Sequence, residues 1–462
     1  MPENSKLLFS WKQYALVAIT ILFVLLSLVF NSKFELSAIL GGLMILLWVF
    51  EIIPIYVTAL LPLIFATPMG LLTPNDLALS YGNSNVFLFF GGFVLALGLE
   101  KWGVHEQISR RIISIVGDSK PKVLLGFILS TGLLSMWISN TATTLMMLPM
   151  AIAVIQSMPK HHQESKFSLY LMLSIAYASN IGGMATLVGS PPNTQMAAIV
   201  EQNFHTTVSF WDWMKIGIPV SLSLLLLMYC FFYWGLAKER GDQHEFNFKK
   251  EPWTSEQIKA IAIFLLVVFL WSCRELIIDF TGVSYRDEIP AILGAVLMFL
   301  IPNNTKKGNL LAWKDTEQLP WGILLLFGGG LALAAIFEKN GIVLSLTQLF
   351  NSYADASIFI LILVVVTIAI FVTEIMSNLA LVTLFVPIVG AFSVDQGLPV
   401  LQLCLPLTLA ASCAFMLPVG TPPNAIVFAS GRIRMHEMVR IGFVLNIISL
   451  VAVVLICYLL LN

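Results

Sequence analysis

Two short polar clusters of one kind interrupt long apolar stretches of this 462-residue chain: Ser139-Asn140-Thr141 within 121–157, and Ser377-Asn378-Leu379 within 356–395. Two further breaks are Gly189-Ser190-Pro191-Pro192-Asn193 and Gly420-Thr421-Pro422-Pro423-Asn424. Hydroxyls, carboxamides and backbone freed by Gly and Pro are neutral donors and acceptors, and no Lys or Arg stands in any of the four. Neither Ser139 nor Ser377 has a His or Lys beside it to act as base, which counts against an intramembrane hydrolase. Groups of this kind can bind ions. A helix begun inside an apolar run exposes N–H groups that favour an anion, and a broken one exposes carbonyl oxygens that favour a hard cation.

The elements that must hold these groups follow from composition. Asp, Glu, Lys and Arg make up 11% of the chain and apolar residues 58%, against about 25% charge in a soluble domain, so a polytopic membrane protein is expected. Eleven apolar runs can each span a bilayer: near 13–30, 36–51, 53–72, 85–100, 168–188, 213–236, 257–279, 288–302, 320–337, 400–419 and 439–461. The first is read as a retained span, because Asn31-Ser32-Lys33 follows it without a cleavage pattern. The stretches 121–157 and 356–395 are too long for one span, and each is either two spans or one re-entrant hairpin. With residues 1–12 in the cytoplasm, Lys33, Lys215, Arg274, Arg286 and Lys339 fall outside, and the other 20 of 25 Lys and Arg inside. The same orientation puts the C-terminus outside. Either reading of the two stretches preserves this split, since two crossings keep parity.

The chain also repeats itself. Phe90-Gly91-Gly92 with Glu100-Lys101 returns as Phe327-Gly328-Gly329 with Glu338-Lys339; Ser135 aligns with Thr373, Ser139-Asn140 with Ser377-Asn378, and Pro149 with Pro387. Gly-Ser-Pro-Pro-Asn at 189–193 aligns with Gly-Thr-Pro-Pro-Asn at 420–424. A lone Ser cap or Gly-Pro kink is ordinary structure, but four breaks paired two by two are not. Five crossings separate the Glu-Lys ends, so the copies are expected to be inverted, which is a transporter architecture with its site at mid-membrane.

With these motifs the chain resembles the divalent anion and sodium symporter family, the carriers of dicarboxylates, citrate and sulfate. The stretch from Ser412 through Gly420-Thr421-Pro422-Pro423-Asn424 to Val427 is similar to that family's C-terminal signature throughout. The resemblance implies an all-α fold of eleven transmembrane helices plus two re-entrant hairpins, in a homodimer working as an elevator. Its scaffold would comprise 13–72 and 257–302; its transport domain would comprise 85–236 with hairpin 121–157, and 320–461 with hairpin 356–395. It further implies one sodium site at Ser135, Ser139, Asn140 and Gly189, and a second at Thr373, Met376, Asn378 and Gly420. The anion would lie among Ser139, Asn140, Thr141, Ser190, Pro191, Ser377, Asn378, Leu379, Thr421 and Pro422. Leu379 departs from the common pattern, since many members have Thr there. Sodium as a co-transported ion would balance a dianion that helix ends and neutral side chains leave largely uncompensated.

The expected function is therefore sodium-coupled import of a di- or tricarboxylate, a C4 dicarboxylate such as succinate first, across an inner (plasma) membrane. Carboxylate exchange without sodium, and sodium-coupled sulfate transport, are the alternatives within the family. A channel would need a continuous polar path instead. No cofactor and no nucleic-acid partner is implied. Glu374, whose counterpart is Met136, is either an ion-handling group or a side chain reaching an aqueous vestibule. The five cysteines lack Cys-x-x-Cys spacing and the histidines lack ligand spacing, so packing and solvation explain them. His105 to Val116 reads as an interfacial amphipathic helix, similar to the arm helix of that family. Lys160–Lys166 and Lys238–Lys250 read as cytoplasmic links, and the sequon Asn303-Asn304-Thr305 lies on the inside.

Overall fold

A computed structural model describes residues 11–50, 52–117, 119–158, 165–237, 252–304, 308–345 and 357–461. The N-terminal ten residues, His161 and His162, Lys238–Lys250 and Thr305 of the sequon lie outside the described residues. Within them the chain is helical, apart from one isolated antiparallel bridge between Pro302 and Asn309.

The first spans are α1 (Trp11–Val29) and α2 (Lys33–Val49), the latter started by a capping box between Ser32 and Glu35. The run 53–72 is not one helix. Pro54 and Pro62 cut it into α3 (Ile55–Thr58) and α4 (Leu61–Phe65), because proline cannot donate to the preceding turn. Then come α5 (Pro74–Tyr81), α6 (Ser84–Lys101) and α7 (Val104–Val116), the expected amphipathic helix. A helical hairpin follows, α8 (Lys120–Ser135) and α9 (Asn140–Ser157), and then α10 (Lys166–Gly183), α11 (Pro191–Phe204) and α12 (Phe210–Gly235).

The second half runs through α13 (Ser255–Ser272), α14 (Arg274–Thr281) and α15 (Glu288–Leu300), so the run 257–279 breaks at Cys273. After a 3-10 turn (Trp313–Gln318) come α16 (Trp321–Lys339), the hairpin arms α17 (Ile358–Val372) and α18 (Asn378–Asp395), α19 (Leu401–Ala411), α20 (Pro422–Ala429) and α21 (Met435–Leu461). Among the described residues six helical stretches are long and apolar enough to cross a bilayer, and five shorter apolar helices accompany them, which makes a multi-pass membrane fold.

The two halves are interlocked. α6 packs along α15, where Gly91 lets the helices close; a Cβ there would stand 2.6 Å from the Ala291 carbonyl carbon. In the repeated Phe-Gly-Gly motif of α16, Gly329 does the same against Ala59 of the first half. The ends of the two helices are tied reciprocally. Lys101 reaches Asp315 at 2.6 Å, and Lys339 reaches Asp76 at 2.7 Å. Trp102 donates to the Leu310 carbonyl (3.0 Å), and Asn340 to the Leu71 carbonyl (3.3 Å). Asp76 and Asp315 each also accept from the backbone N–H three residues earlier, at Thr73 and Ala312, so the repeat reaches further upstream than the Phe-Gly-Gly motif. Burial pushes the Asp315 carboxyl up, but the Lys101 hydrogen bond and the Ala312 N–H together outweigh it and hold the group below its ordinary range.

Candidate functional site

Each hairpin tip is a short turn between two helices, four residues (136–139) in the first and five (373–377) in the second. At the first, Ser139 N-caps α9 by accepting from Ala142 N–H (3.3 Å); at the second, Ser377 caps α18 by accepting from Ala380 N–H (3.2 Å). The N–H groups of Asn140 and Thr141, and of Asn378 and Leu379, open their helices and have no intrahelical acceptor. Leu379 therefore lacks a hydroxyl but keeps a backbone donor.

Behind each tip, acceptor oxygens outnumber protons. Ser135 Oγ lies 2.7 Å from Asn140 Oδ1 and 2.7 Å from the Ser179 carbonyl, and its single hydrogen cannot serve both. Asn140 Oδ1 also faces the Ser179 and Gly189 carbonyls at 3.1 and 3.3 Å. With the amide turned over, its nitrogen would lie within donor range of all three oxygens, with two hydrogens to share among them. One orientation of Asn140 thus closes the cluster on itself, and the other offers a hard cation four oxygens. The second tip repeats the pattern: Thr373 Oγ1 lies 2.7 Å from Asn378 Oδ1 and 2.7 Å from the Ala411 carbonyl. Met376 is buried in the turn of this tip.

The unwound segments are braced by the asparagine of each Gly-x-Pro-Pro-Asn motif. Asn193 donates to the Gly183 and Thr186 carbonyls (2.8 and 2.7 Å); Asn424 donates to those of Ala414 and Leu417 (2.9 and 3.0 Å). Pro occupies the first two positions of α11 and of α20, so these helix starts present few N–H groups. An anion would find its backbone donors at the hairpin tips instead.

Crossed packing brings the four breaks together: α11 lies on α18, and α20 lies on α9 and α10. All ten residues expected around the anion line one cavity of about 510 Å³, from Ser139, Asn140 and Thr141 to Thr421 and Pro422. Ser190, which lines it too, is buried and makes no side-chain cap bond. No Lys, Arg or His lines the cavity among the described residues, and its far wall, from Ile55 and Tyr56 to Leu319 and Ile323, is largely apolar.

Sequence reasoning missed several participants. Asn180 is fully buried, lines the cavity and donates to Thr421 Oγ1 at 3.0 Å, linking the two halves; its one signal was a carboxamide inside an apolar run. The Ser179 and Ala411 carbonyls carry no sequence signal at all. Glu374 is buried, its carboxylate spoken for by donors from 415–417 and Asn446, so it does not reach a vestibule.

A multi-pass helical fold with paired helix breaks facing one cavity defines a protein of the secondary-transporter class. A family model described as a citrate transporter matches residues 45–398. The sodium-dependent dicarboxylate transporters SdcS of Staphylococcus saprophyticus and of Staphylococcus aureus (strain USA300) are each 38% identical over 431 residues, covering 89% of this chain and 83% of theirs. The chain belongs to this family of sodium-dependent dicarboxylate and citrate transporters, carriers and not enzymes. Its fold is shared more distantly. The YdaH transporter of Alcanivorax borkumensis superposes with a TM-score of 0.59 at 14% identity, covering 84% of this chain and 89% of that one. MtrF of Neisseria gonorrhoeae does so with a TM-score of 0.57 at 11% identity, covering 84% and 82%.

Proposed function

We propose that the protein is a sodium-coupled symporter that imports a C4 dicarboxylate, succinate foremost. The observation that carries this reading is the pairing of two acceptor-rich clusters with one donor-lined cavity that carries no Lys, Arg or His among the described residues and has Glu100 on its wall. The anion lies between the tips and takes N–H groups of Asn140, Thr141, Asn378 and Leu379, with hydroxyls from Ser139, Thr141 and Ser377. One sodium sits behind the first tip among Ser135, Ser139, Asn140 and Gly189; the other sits behind the second among Thr373, Met376, Asn378 and Gly420. Each Asn then meets the cation through its side chain and the anion through its backbone, so binding of one ion prepares the site for the other. At about 6 Å and an effective dielectric of about 20, such a cation and anion attract by about 3 kcal/mol, more than one neutral hydrogen bond contributes. By linkage the anion raises sodium affinity in return.

In the bilayer, α8–α9 and α17–α18 form re-entrant hairpins among eleven spans in two inverted repeats, with the N-terminus cytoplasmic and the C-terminus outside. The positive-inside count supports the orientation, and the reciprocal ties of Lys101 and Lys339 support the pairing of the two repeats. α6 and α16 begin the stretches 85–236 and 320–461, yet they pack on the opposite repeat's scaffold spans, and we assign them to the fixed body of a homodimer. The hairpins with α10–α12 and α19–α21 form the moving body, and the apolar cavity wall is the surface it slides along.

Uptake of radiolabelled succinate into proteoliposomes tests the reading. It should require an inward sodium gradient and rise more steeply than linearly with sodium, as two sodium sites demand. Uptake unchanged with choline in place of sodium would sink it in favour of exchange.

A further inference from the structure

The two unwound segments are held by different chemistry. In the first half Thr186 is the tie: its hydroxyl donates to the Met136 carbonyl and accepts from Gly189 N–H at 3.1 Å. No acidic residue occurs in 135–140 or 184–190. In the second half the counterpart of Met136 is Glu374, and Leu417 replaces Thr186. The Glu374 carboxylate accepts from three consecutive backbone N–H groups, Phe415 (2.8 Å) and Met416 (2.9 Å) on Oε1 and Leu417 (3.0 Å) on Oε2. Asn446 of α21 donates to Oε1 as well, at 2.8 Å. Among the described residues its hydrogen-bond partners are four N–H donors, the partner set of a carboxylate. A Cβ built on Gly420 would stand 3.3 Å from Oε2, so the charge lies beside the backbone assigned to the second sodium.

We infer that Glu374 is a positioning residue of the second sodium site, whose buried charge makes that site the tighter of the two and the first to fill. The inference rests on the sodium assignments proposed above. Its physical basis is that neutral donors disperse the charge of Glu374 without cancelling it, so a cation at Gly420 gains attraction that a cation at Gly189 does not. The three N–H bonds also hold 415–417 in place before any ion arrives, so less ordering is needed on binding.

The test is a sodium titration of the purified full-length protein in detergent, without substrate, with choline holding ionic strength constant and thermal unfolding as the readout. Asn140→Ala should keep the stabilisation that appears at low sodium, and Asn378→Ala should lose it. Glu374→Gln should raise the half-stabilising sodium concentration at least tenfold, equivalent to about 1.4 kcal/mol, while Glu374→Asp restores part of the affinity. Equal losses in Gln and Asp, or a Gln titration within twofold of the parent, would reduce Glu374 to packing and overturn the inference. If Glu374→Gln yields no folded protein, the asparagine pair decides: loss of the low-sodium phase in Asn140→Ala with retention in Asn378→Ala overturns it. A parent protein that sodium stabilises no more than choline would instead bring down the site assignments themselves, and this inference with them.

Discussion

The hairpin tips at 136–139 and 373–377 share a capping pattern and differ in what their side chains supply. Both begin a helix with a Ser cap followed by Asn, and both place a hydroxyl 2.7 Å from that Asn and from a carbonyl of a neighbouring helix. Beyond this frame they diverge. The first tip offers Thr141 to the cavity, has Asn180 beside it and is braced by neutral Thr186; the second offers Leu379 and is braced by charged Glu374. The difference teaches that pseudo-symmetry conserves the geometry every ion needs while leaving side chains free to specialise. The first half has the richer set of anion donors, and the second has the stronger field for a cation.

The most severe way to break the comparison is to remove what the tips share. Asn140→Ala and Asn378→Ala should each abolish succinate uptake, by about a hundredfold or more, while the protein elutes as the parent does on size exclusion. Each deletes a side chain proposed to bind sodium behind the anion, and loss of a charge-assisted contact costs about 1.5–3 kcal/mol before the coupled ion is counted. Near-normal uptake in either variant would remove that tip from the site.

The divergent third residue should matter less. Thr141→Leu should weaken apparent succinate affinity about tenfold or more, because it strips a hydroxyl and leaves a carboxylate oxygen without a partner. Leu379→Thr should shift affinity by about three- to tenfold with sodium dependence intact, since a neutral hydrogen bond contributes about 0.5–1.5 kcal/mol. A small dicarboxylate should gain and citrate lose. Competition of labelled succinate by unlabelled succinate and citrate measures both, and silence in both variants would show that these side chains do not face the anion.

Asn180→Ala sharpens the asymmetry further. It should lower succinate affinity about threefold to tenfold, because Asn180 holds the Thr421 hydroxyl within the cavity, whereas Ser412, which follows Ala411 as Asn180 follows Ser179, has only a short hydroxyl in its place. An affinity equal to the parent's would make Asn180 a packing residue.

The rim pairs should give the smallest effect. Lys101→Ala should change stability by about 0.2–1 kcal/mol and Lys339→Ala should likewise have a small effect, because exposed ion pairs are screened. The Asp315 carboxyl is held below its ordinary range, so its share is present above the ordinary aspartate pKa and fades as pH falls through the lowered folded value. Thermal unfolding of the parent and Lys101→Ala should therefore differ less at pH 3 than at pH 7.

Membrane class, repeat and the four breaks were legible in the sequence because each is local: an apolar run, a Gly or Pro that cannot continue a helix, a Ser that caps the next one. The ten cavity residues were legible for the same reason, as they are the breaks themselves. Two runs read as single spans proved broken, at Pro54 and Pro62 and at Cys273. The prolines were visible, but how far each interruption bends the chain depends on the helices packed around it.

Whatever depends on contact between distant segments was decided by the tertiary structure. The Ser179 and Ala411 carbonyls become ligand candidates because helices α10 and α19 pass behind the tips, and a backbone oxygen has the same sequence signature everywhere. Glu374 was visible as a charge in an apolar stretch, yet its partners at 415–417 and 446 are 41 to 72 positions away, and nothing local could say whether it faced water or a row of N–H groups. The sequence by itself determined where helices must stop, since that is settled by residue type within a turn or two. Which of those stops meet around one cavity was settled by packing, because burying apolar helix faces against one another fixes neighbours that the order of residues leaves open.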